Sequence, residues 1–241
     1  MANKNLLVSI IGRDEHYKTW LMEPPENRNY DIILIVYNNL VIPDEIASQC
    51  KILIRREGYF WKLVKWLFEK YRSLLTDYDY FFFPDDDIEI ASDSINKIFD
   101  YIEKYEIQIS QPALVPDGNR HAWAKAIDKR TGVFHESLYI EVMTPFMGKE
   151  FLKNTLKFCA EINSGWGIDV IWSKYAFDNN IKMYVFDNWS CRHATIQENL
   201  RNDIYRKLKR DGINWSKENK MIIKKYKAPS YYRKLIIEYM R

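Results

Sequence analysis

The chain has 241 residues, 47% of them hydrophobic and 29% charged, which is enough for one large α/β domain or two small ones. Cys50, Cys159 and Cys191 are odd in number and widely spaced, which argues against a disulfide framework and a zinc site and fits a reducing cytoplasm. The net charge of +3 hides an asymmetry: residues 201–241 hold 13 Lys+Arg against 4 Asp+Glu, a net +9, leaving 23 against 29, a net −6, for residues 1–200.

In chain order, residues 6–11 read as a first buried strand, too short for a signal-peptide core or a membrane span. No other apolar run is longer, so a cytoplasmic protein is expected. The loop Gly12-Arg13-Asp14 and a short helix over 16–22 follow. Residues 31–37 form a second strand ending at Asn38-Asn39, and residues 51–55 a third. The apolar spacing of Phe60, Leu63, Val64, Leu67, Phe68, Tyr71 and Leu75 predicts one amphipathic helix over 59–75.

The run Tyr80-Phe81-Phe82-Phe83 reads as a strand buried on both faces, and Pro84, which has no N–H to donate, should end it. Asp85-Asp86-Asp87 then falls where an open α/β sheet presents its ligand edge. Three adjacent anions repel one another, and a hard divalent cation, Mg²⁺ or Mn²⁺, would remove that penalty while also holding substrate phosphates. A solvated acidic turn capping the next helix is the plainer alternative.

Ser92 or Asp93 is expected to cap a helix running to 105. A strand over 107–114 follows, then a polar loop or edge hairpin over 115–137, a strand over 138–143 and a helix over 148–162. Gly165-Trp166-Gly167-Ile168-Asp169 opens a helix to about 177, and the last strand, 182–186, leads to Asp187 and on to His193. Strands alternating with helices predict a mixed, mostly parallel α/β sheet. Residues 1–200 are read as one domain and 201–241 as a basic helical extension. Within it, Arg206-Lys207-Leu208-Lys209-Arg210, Lys224-Lys225-Tyr226-Lys227 and Tyr231-Tyr232-Arg233-Lys234 suit either an anionic membrane surface or a solvated tail packed on the domain. The acidic body makes nucleic acid the least attractive partner.

The stretch from Tyr78 to Ile88, together with Ile109-Ser110-Gln111-Pro112-Ala113-Leu114, Glu141-Val142-Met143-Thr144-Pro145 and Gly165-Trp166-Gly167-Ile168-Asp169, resembles the GT-A class of nucleotide-sugar-dependent glycosyltransferases over roughly residues 5–195. Within that class it is most similar to a poorly characterised family with bacterial and plant members. The resemblance implies a GT-A-like fold and transfer of a sugar from a nucleotide donor, a UDP-sugar, to a glycan or lipid-linked glycan in surface-polysaccharide synthesis, at the inner face of the membrane if the extension binds there. It makes Asp87 a direct ligand of Mn²⁺ or Mg²⁺, Asp85 a ribose-facing or water-mediated one, and His193 a further metal ligand, with Asp86 in the same donor site. It makes Asp169 the catalytic base of an inverting enzyme, with Glu141 in reserve for base or acceptor binding. Ser9, Gly12, Arg13, Asn38 and Lys62 are the candidates for the nucleotide pocket.

Each residue also has a plainer reading. His193 reads equally as a surface histidine, Asp169 as a first-turn acid favoured by the helix dipole, and Trp166 as core. A metal-dependent phosphoesterase would want more His and Asp ligands than four histidines supply. No Gly-x-x-x-x-Gly-Lys or Gly-x-Gly-x-x-Gly loop is present, which counts against ATPases and dinucleotide oxidoreductases. Nor does Gly12-Arg13-Asp14 supply the Gly-rich first loop expected of a sugar nucleotidyltransferase. A non-catalytic carbohydrate-binding protein on the same fold is the remaining alternative.

Overall fold

The computed structural model describes residues 3–12, 16–115, 132–193 and 202–228. Its strands are β1 (Asn5–Ile11), β2 (Tyr30–Val36), β3 (Ile52–Arg55), β4 (Tyr80–Phe82), β5 (Ile88–Glu89), β6 (Ile109–Leu114), β7 (Phe134–Ser137), β8 (Phe146–Gly148) and β9 (Met183–His193). Its helices are α1 (Asp44–Ala47), α2 (Phe60–Lys70), α3 (Leu74–Asp77), α4 (Ser92–Tyr105), α5 (Lys149–Thr155), α6 (Ile168–Asp178), α7 (Asn202–Arg210) and α8 (Trp215–Lys225).

The strands form one sheet in the order β3-β2-β1-β4-β8-β6-β9-β5, with β7 also on β9. Pairings β1–β2, β1–β4, β2–β3 and β6–β9 are parallel and hold most of the paired residues. Pairings β4–β8, β6–β8, β5–β9 and β7–β9 are antiparallel. The mixed, mostly parallel sheet expected from the sequence is therefore the one observed.

Side chains alternate across the pleat, and both faces are covered. Leu6, Val8 and Ile10 of β1, with Phe81 and Phe83, enter one core with Trp61, Leu67 and Phe68 of α2, Phe151 of α5 and Trp172 of α6. Leu7, Ile11 and Phe82 point the other way, to Trp20 and to Ile95, Ile98 and Phe99 of α4. Phe82 stacks on Phe146, its partner in register on β8, with ring centroids 3.9 Å apart.

Several expected elements come out differently. The helix predicted over 59–75 breaks at Tyr71, whose ring turns edge-on to Trp66, and resumes as α3. The helix predicted over 148–162 is α5 followed by a 3₁₀ turn, Leu156–Ala160. Neither Ser92 nor Asp93 caps α4; the N-cap is Ala91, and Ser92 Oγ accepts a hydrogen bond from the Glu23 amide. Residues 138–143 are irregular rather than a strand, and three of their amides are accepted by side chains. Ser137 Oγ takes the Tyr139 N–H, Ser173 Oγ the Ile140 N–H and Gln111 Oε1 the Glu141 N–H. The strand forms only afterwards, as β8.

β9 runs well past its predicted end. Pro112 of β6 lacks an N–H, the β6–β9 register shifts between Pro112 and Leu114, and β9 continues beyond it to pair with β5 through His193. The C-terminal helices pack on the domain: Leu208 and Ile222 are buried. The Tyr231–Lys234 part of the basic run lies outside the described residues. Among those described, no helix is long and apolar enough to cross a membrane.

Candidate active site

β4 stops at Phe82, and the chain leaves the sheet through Phe83 and Pro84 into the acidic triplet. The triplet is tied on both sides. The Phe83 amide donates to the Pro145 carbonyl (3.0 Å) and the Asp85 amide to the Met143 carbonyl (2.8 Å). Ser9, fully buried on β1, donates its hydroxyl to the Pro84 carbonyl at 2.7 Å. Two backbone amides and the Ser9 hydroxyl thus hold the loop.

Asp87 meets His193: Oδ2 lies 3.2 Å from Nε2, with the two side chains 14% and 18% exposed. The β5–β9 pairing places them there, because Ile88 is the register partner of His193. The neighbouring pair is locked by Arg192, whose guanidinium donates to Glu89 at 2.5 and 2.8 Å, and Glu89 also pairs with His16 at 2.9 Å.

The Asp87–His193 contact has the length of an ion-paired hydrogen bond, and the same two atoms could hold a metal. Two ligand atoms at about 2.1 Å from one octahedral ion and at right angles to each other lie about 3.0 Å apart, close to the observed separation. Among the described residues no third His, Cys, Asp or Glu joins them in a ligand cluster. An ion held by one or two protein groups with the remainder from water and substrate phosphate is the usual arrangement for Mg²⁺-type sites.

Asp86 does something else. Its Oδ2 accepts from the Gly12 amide at 3.0 Å and from the Tyr37 hydroxyl at 3.3 Å. Gly12 is required by this contact, since a Cβ there would fall 2.0 Å from Tyr37 Cζ. Asn38 Nδ2 donates to the Gly12 carbonyl at 2.8 Å, while its Oδ1 accepts from the Leu40 amide. Ser9, Gly12, Asn38 and the triplet therefore converge on one end of β1, β2 and β4. Arg13 lies outside the described residues. Lys62 lies elsewhere, its ammonium donating to the Ala160 carbonyl.

Glu141 and Asp169 form a second acidic centre. Asp169 sits in the first turn of α6 and is buried, as is Glu141. The Tyr139 hydroxyl donates to Asp169 Oδ2 at 2.5 Å and the Val170 amide to Oδ1 at 2.7 Å. Burial first, and then the negative charge of Asp169, pushes Glu141 up to about 8. Burial also raises Asp169, but the Tyr139 hydroxyl and the amides at the head of α6 oppose that rise. Glu141 has only the Val142 amide to lower it. Of the two coupled acids, Glu141 is the one held towards its neutral form, while the donors around Asp169 favour its charged form.

The two centres share a connection. Residues 141–145 carry Glu141 at one end, while the carbonyls of Met143 and Pro145 hold the acidic triplet at the other. Trp61 of α2 fills the floor between them, 5.5 Å from the Phe83 ring and 4.5 Å from that of Trp172 on α6. Sequence reasoning brought Asp85, Asp87, His193, Asp169 and Glu141 forward but missed Tyr139, Gln111, Tyr37 and Trp61. A glutamine inside the apolar strand of β6 was the one available signal, because a buried amide needs a partner.

A family described as "Protein of unknown function (DUF707)" matches residues 26–138, less than half of the chain and short of both Asp169 and His193. No curated protein matches the sequence. Similar solved structures include the crystal structure of GalNAc-T7 with UDP, GalNAc and Mn²⁺, at a TM-score of 0.62 and 12% identity, covering 94% of this chain and 55% of that one. Staphylococcus aureus TarS 1-349 in complex with UDP-GlcNAc is similar at a TM-score of 0.52 and 11% identity, covering 81% of this chain and 59% of that one. The chain therefore spans between half and two thirds of either neighbour. At these identities the likeness is one of architecture: the chain is an α/β protein with a GT-A-like fold.

Proposed function

We propose that this protein is a metal-dependent glycosyltransferase that moves a sugar from a nucleoside-diphosphate donor, a UDP-sugar, to a glycan hydroxyl with inversion. The observation that carries it is the pairing of two acidic centres on a GT-A-like sheet, Asp87–His193 and Asp169–Glu141, joined by residues 141–145. Asp87 and His193 would hold Mn²⁺ or Mg²⁺, with Asp85 and the end of β1 facing the nucleotide. When bound, the ion neutralises charge on the departing diphosphate.

Asp169 acts on the acceptor. Its carboxylate takes the hydroxyl proton as the acceptor oxygen forms its bond to the anomeric carbon; the bond from that carbon to the diphosphate breaks, and the diphosphate leaves with the electron pair. Burial raises Asp169 and makes it a stronger base than a solvated aspartate, while the Tyr139 hydroxyl and the Val170 amide fix the orientation of its carboxylate. Neutral Glu141 adds no second charge to repel the leaving phosphate, and its buried carboxyl can orient Asp169 or the acceptor.

Thermal stability is measured against a panel of nucleotides and nucleotide-sugars with Mn²⁺, Mg²⁺ or EDTA, since ligands that prefer the folded state raise the midpoint. A Mn²⁺-dependent rise with one nucleotide diphosphate, absent in Asp87→Ala, is expected. Asp169→Asn should keep that rise and lose turnover. The absence of a rise with every nucleotide would remove the proposal.

A further inference from the structure

The C-terminal helix α8 directs one face at the loop that delivers Asp169. Residues Trp215, Glu218, Asn219 and Ile222 recur at i, i+3, i+4 and i+7, so they share that face. The Glu218 carboxylate accepts hydrogen bonds from backbone and side-chain groups of the loop. Oε1 takes the Asn163 amide (3.2 Å) and side chain (2.9 Å), and Oε2 takes the Ser164 amide (2.9 Å). Although burial opposes ionisation, these donors hold Glu218 below the usual glutamate value.

The loop needs holding. Gly165 and Gly167 both take left-handed backbone angles (φ +84° and +93°), giving two pivots on either side of Trp166 and just before α6. Gly167 lies against α8 so closely that a Cβ would fall 2.5 Å from Asn219 Oδ1 and 2.9 Å from Ile222 Cγ2. The Trp166 ring lies 5.5 Å from that of Trp215. The 163–167 loop thus meets α8 along its length, and Asp169 follows two residues later.

We propose that α8 is a positioning element for the reaction and that Glu218 is its principal positioning residue, setting the placement of the Asp169 carboxylate through the 163–167 loop. It rests on the glycosyltransferase reading only through the role of Asp169 as base. The basic extension is then part of the catalytic apparatus rather than an appended tail. A packing helix with no bearing on the reaction would make the same buried contacts, so the test must separate the two.

The full chain is compared as wild type, Glu218→Ala, Glu218→Gln and Tyr59→Phe. Tyr59 donates from the N-terminal end of α2 to Asp211 at 2.7 Å, so its loss loosens the α7–α8 turn while keeping every hydrogen-bond donor of Asn163 and Ser164 to Glu218. Amide hydrogen exchange without any ligand should quicken over 163–170 by about tenfold or more in Glu218→Ala and stay at the wild-type rate in Tyr59→Phe. For transfer, Glu218→Ala should lower kcat by about tenfold or more with donor KM unchanged, because a small displacement of a reacting group weakens the transition state rather than donor binding. Glu218→Gln keeps one oxygen acceptor and should lie between the two. Exchange over 163–170 unchanged in Glu218→Ala would overturn the clamp whatever the protein's activity. Quickened exchange with wild-type kcat, or an equal kcat loss in Tyr59→Phe, would overturn the positioning role. A wild type that binds no nucleotide would instead count against the transferase reading, with the exchange result still deciding the clamp.

Discussion

Replacing Glu141 with glutamine should change how stability depends on pH. Glu141 rises from the ordinary value of 4.5 to about 8, chiefly because burial penalises its charged form and then because Asp169 is close. A carboxyl raised on folding binds its proton more tightly in the native state. Its contribution to stability is therefore complete below pH 4.5, declines as pH climbs between the two values, and is fully lost above about 8. At about 1.4 kcal/mol for each tenfold change in proton affinity, the whole rise sets a ceiling of about 5 kcal/mol. The real difference is smaller, because local rearrangement and water entry relieve a buried charge and because Asp169 takes part of the load.

Glutamine has the same shape and no proton to lose, and its amide can donate to Asp169. Urea unfolding of wild type and Glu141→Gln at about pH 5 and about pH 8 gives four free energies whose double difference isolates the titration. The variant should lose less stability between the two pH values than wild type, by at least about 1.4 kcal/mol, the equivalent of a tenfold difference in proton affinity. Asp169 titrates with the same sign and is coupled to Glu141, so the double difference reports the titration of the pair. Identical pH dependence in the two proteins would mean that Glu141 is not held protonated, and the assignment of charge to Asp169 would fall with it.

Two other perturbations follow from the geometry. Gly12→Ala should push the Tyr37 ring off Asp86, because the added Cβ would sit 2.0 Å from Tyr37 Cζ; nucleotide-induced stabilisation should weaken while the Asp87–His193 pair remains, and an unaltered nucleotide response would show that this end of β1 faces no ligand. Phe82→Ala removes a fully buried ring stacked at 3.9 Å on Phe146 and should destabilise the fold by about 3–5 kcal/mol in urea titration.

The elements that proved legible are those whose signal is local. Continuous runs of branched and aromatic residues mark β1, β2 and β4, and Pro84 ends the last of these within two residues of its observed stop. The acidic triplet announced itself by charge, and Asp169 by the flanking glycines that only a turn would need. What failed was non-local. Residues 138–143 have the apolar content of a strand, yet Gln111 and Ser173, each about thirty residues away, accept the Glu141 and Ile140 amides, and the adjacent Ser137 accepts that of Tyr139. The Glu218 clamp spans a separation of 55 residues and is written in no periodicity that includes both ends.

The relation between the two acidic centres was equally hidden, although four of its members were named from the sequence. It depends on β8 returning antiparallel beside β4. That reversal draws residues 141–145 along the acidic loop, so that Met143 and Pro145 receive its amides while Glu141 reaches the head of α6. In a wholly parallel sheet the connection into the strand beside β4 would enter from the opposite edge, and the Glu141 carboxyl would be carried away from Asp169. The single antiparallel strand at the centre of the sheet is what lets one short segment, residues 141–145, reach both the acidic triplet and the head of α6.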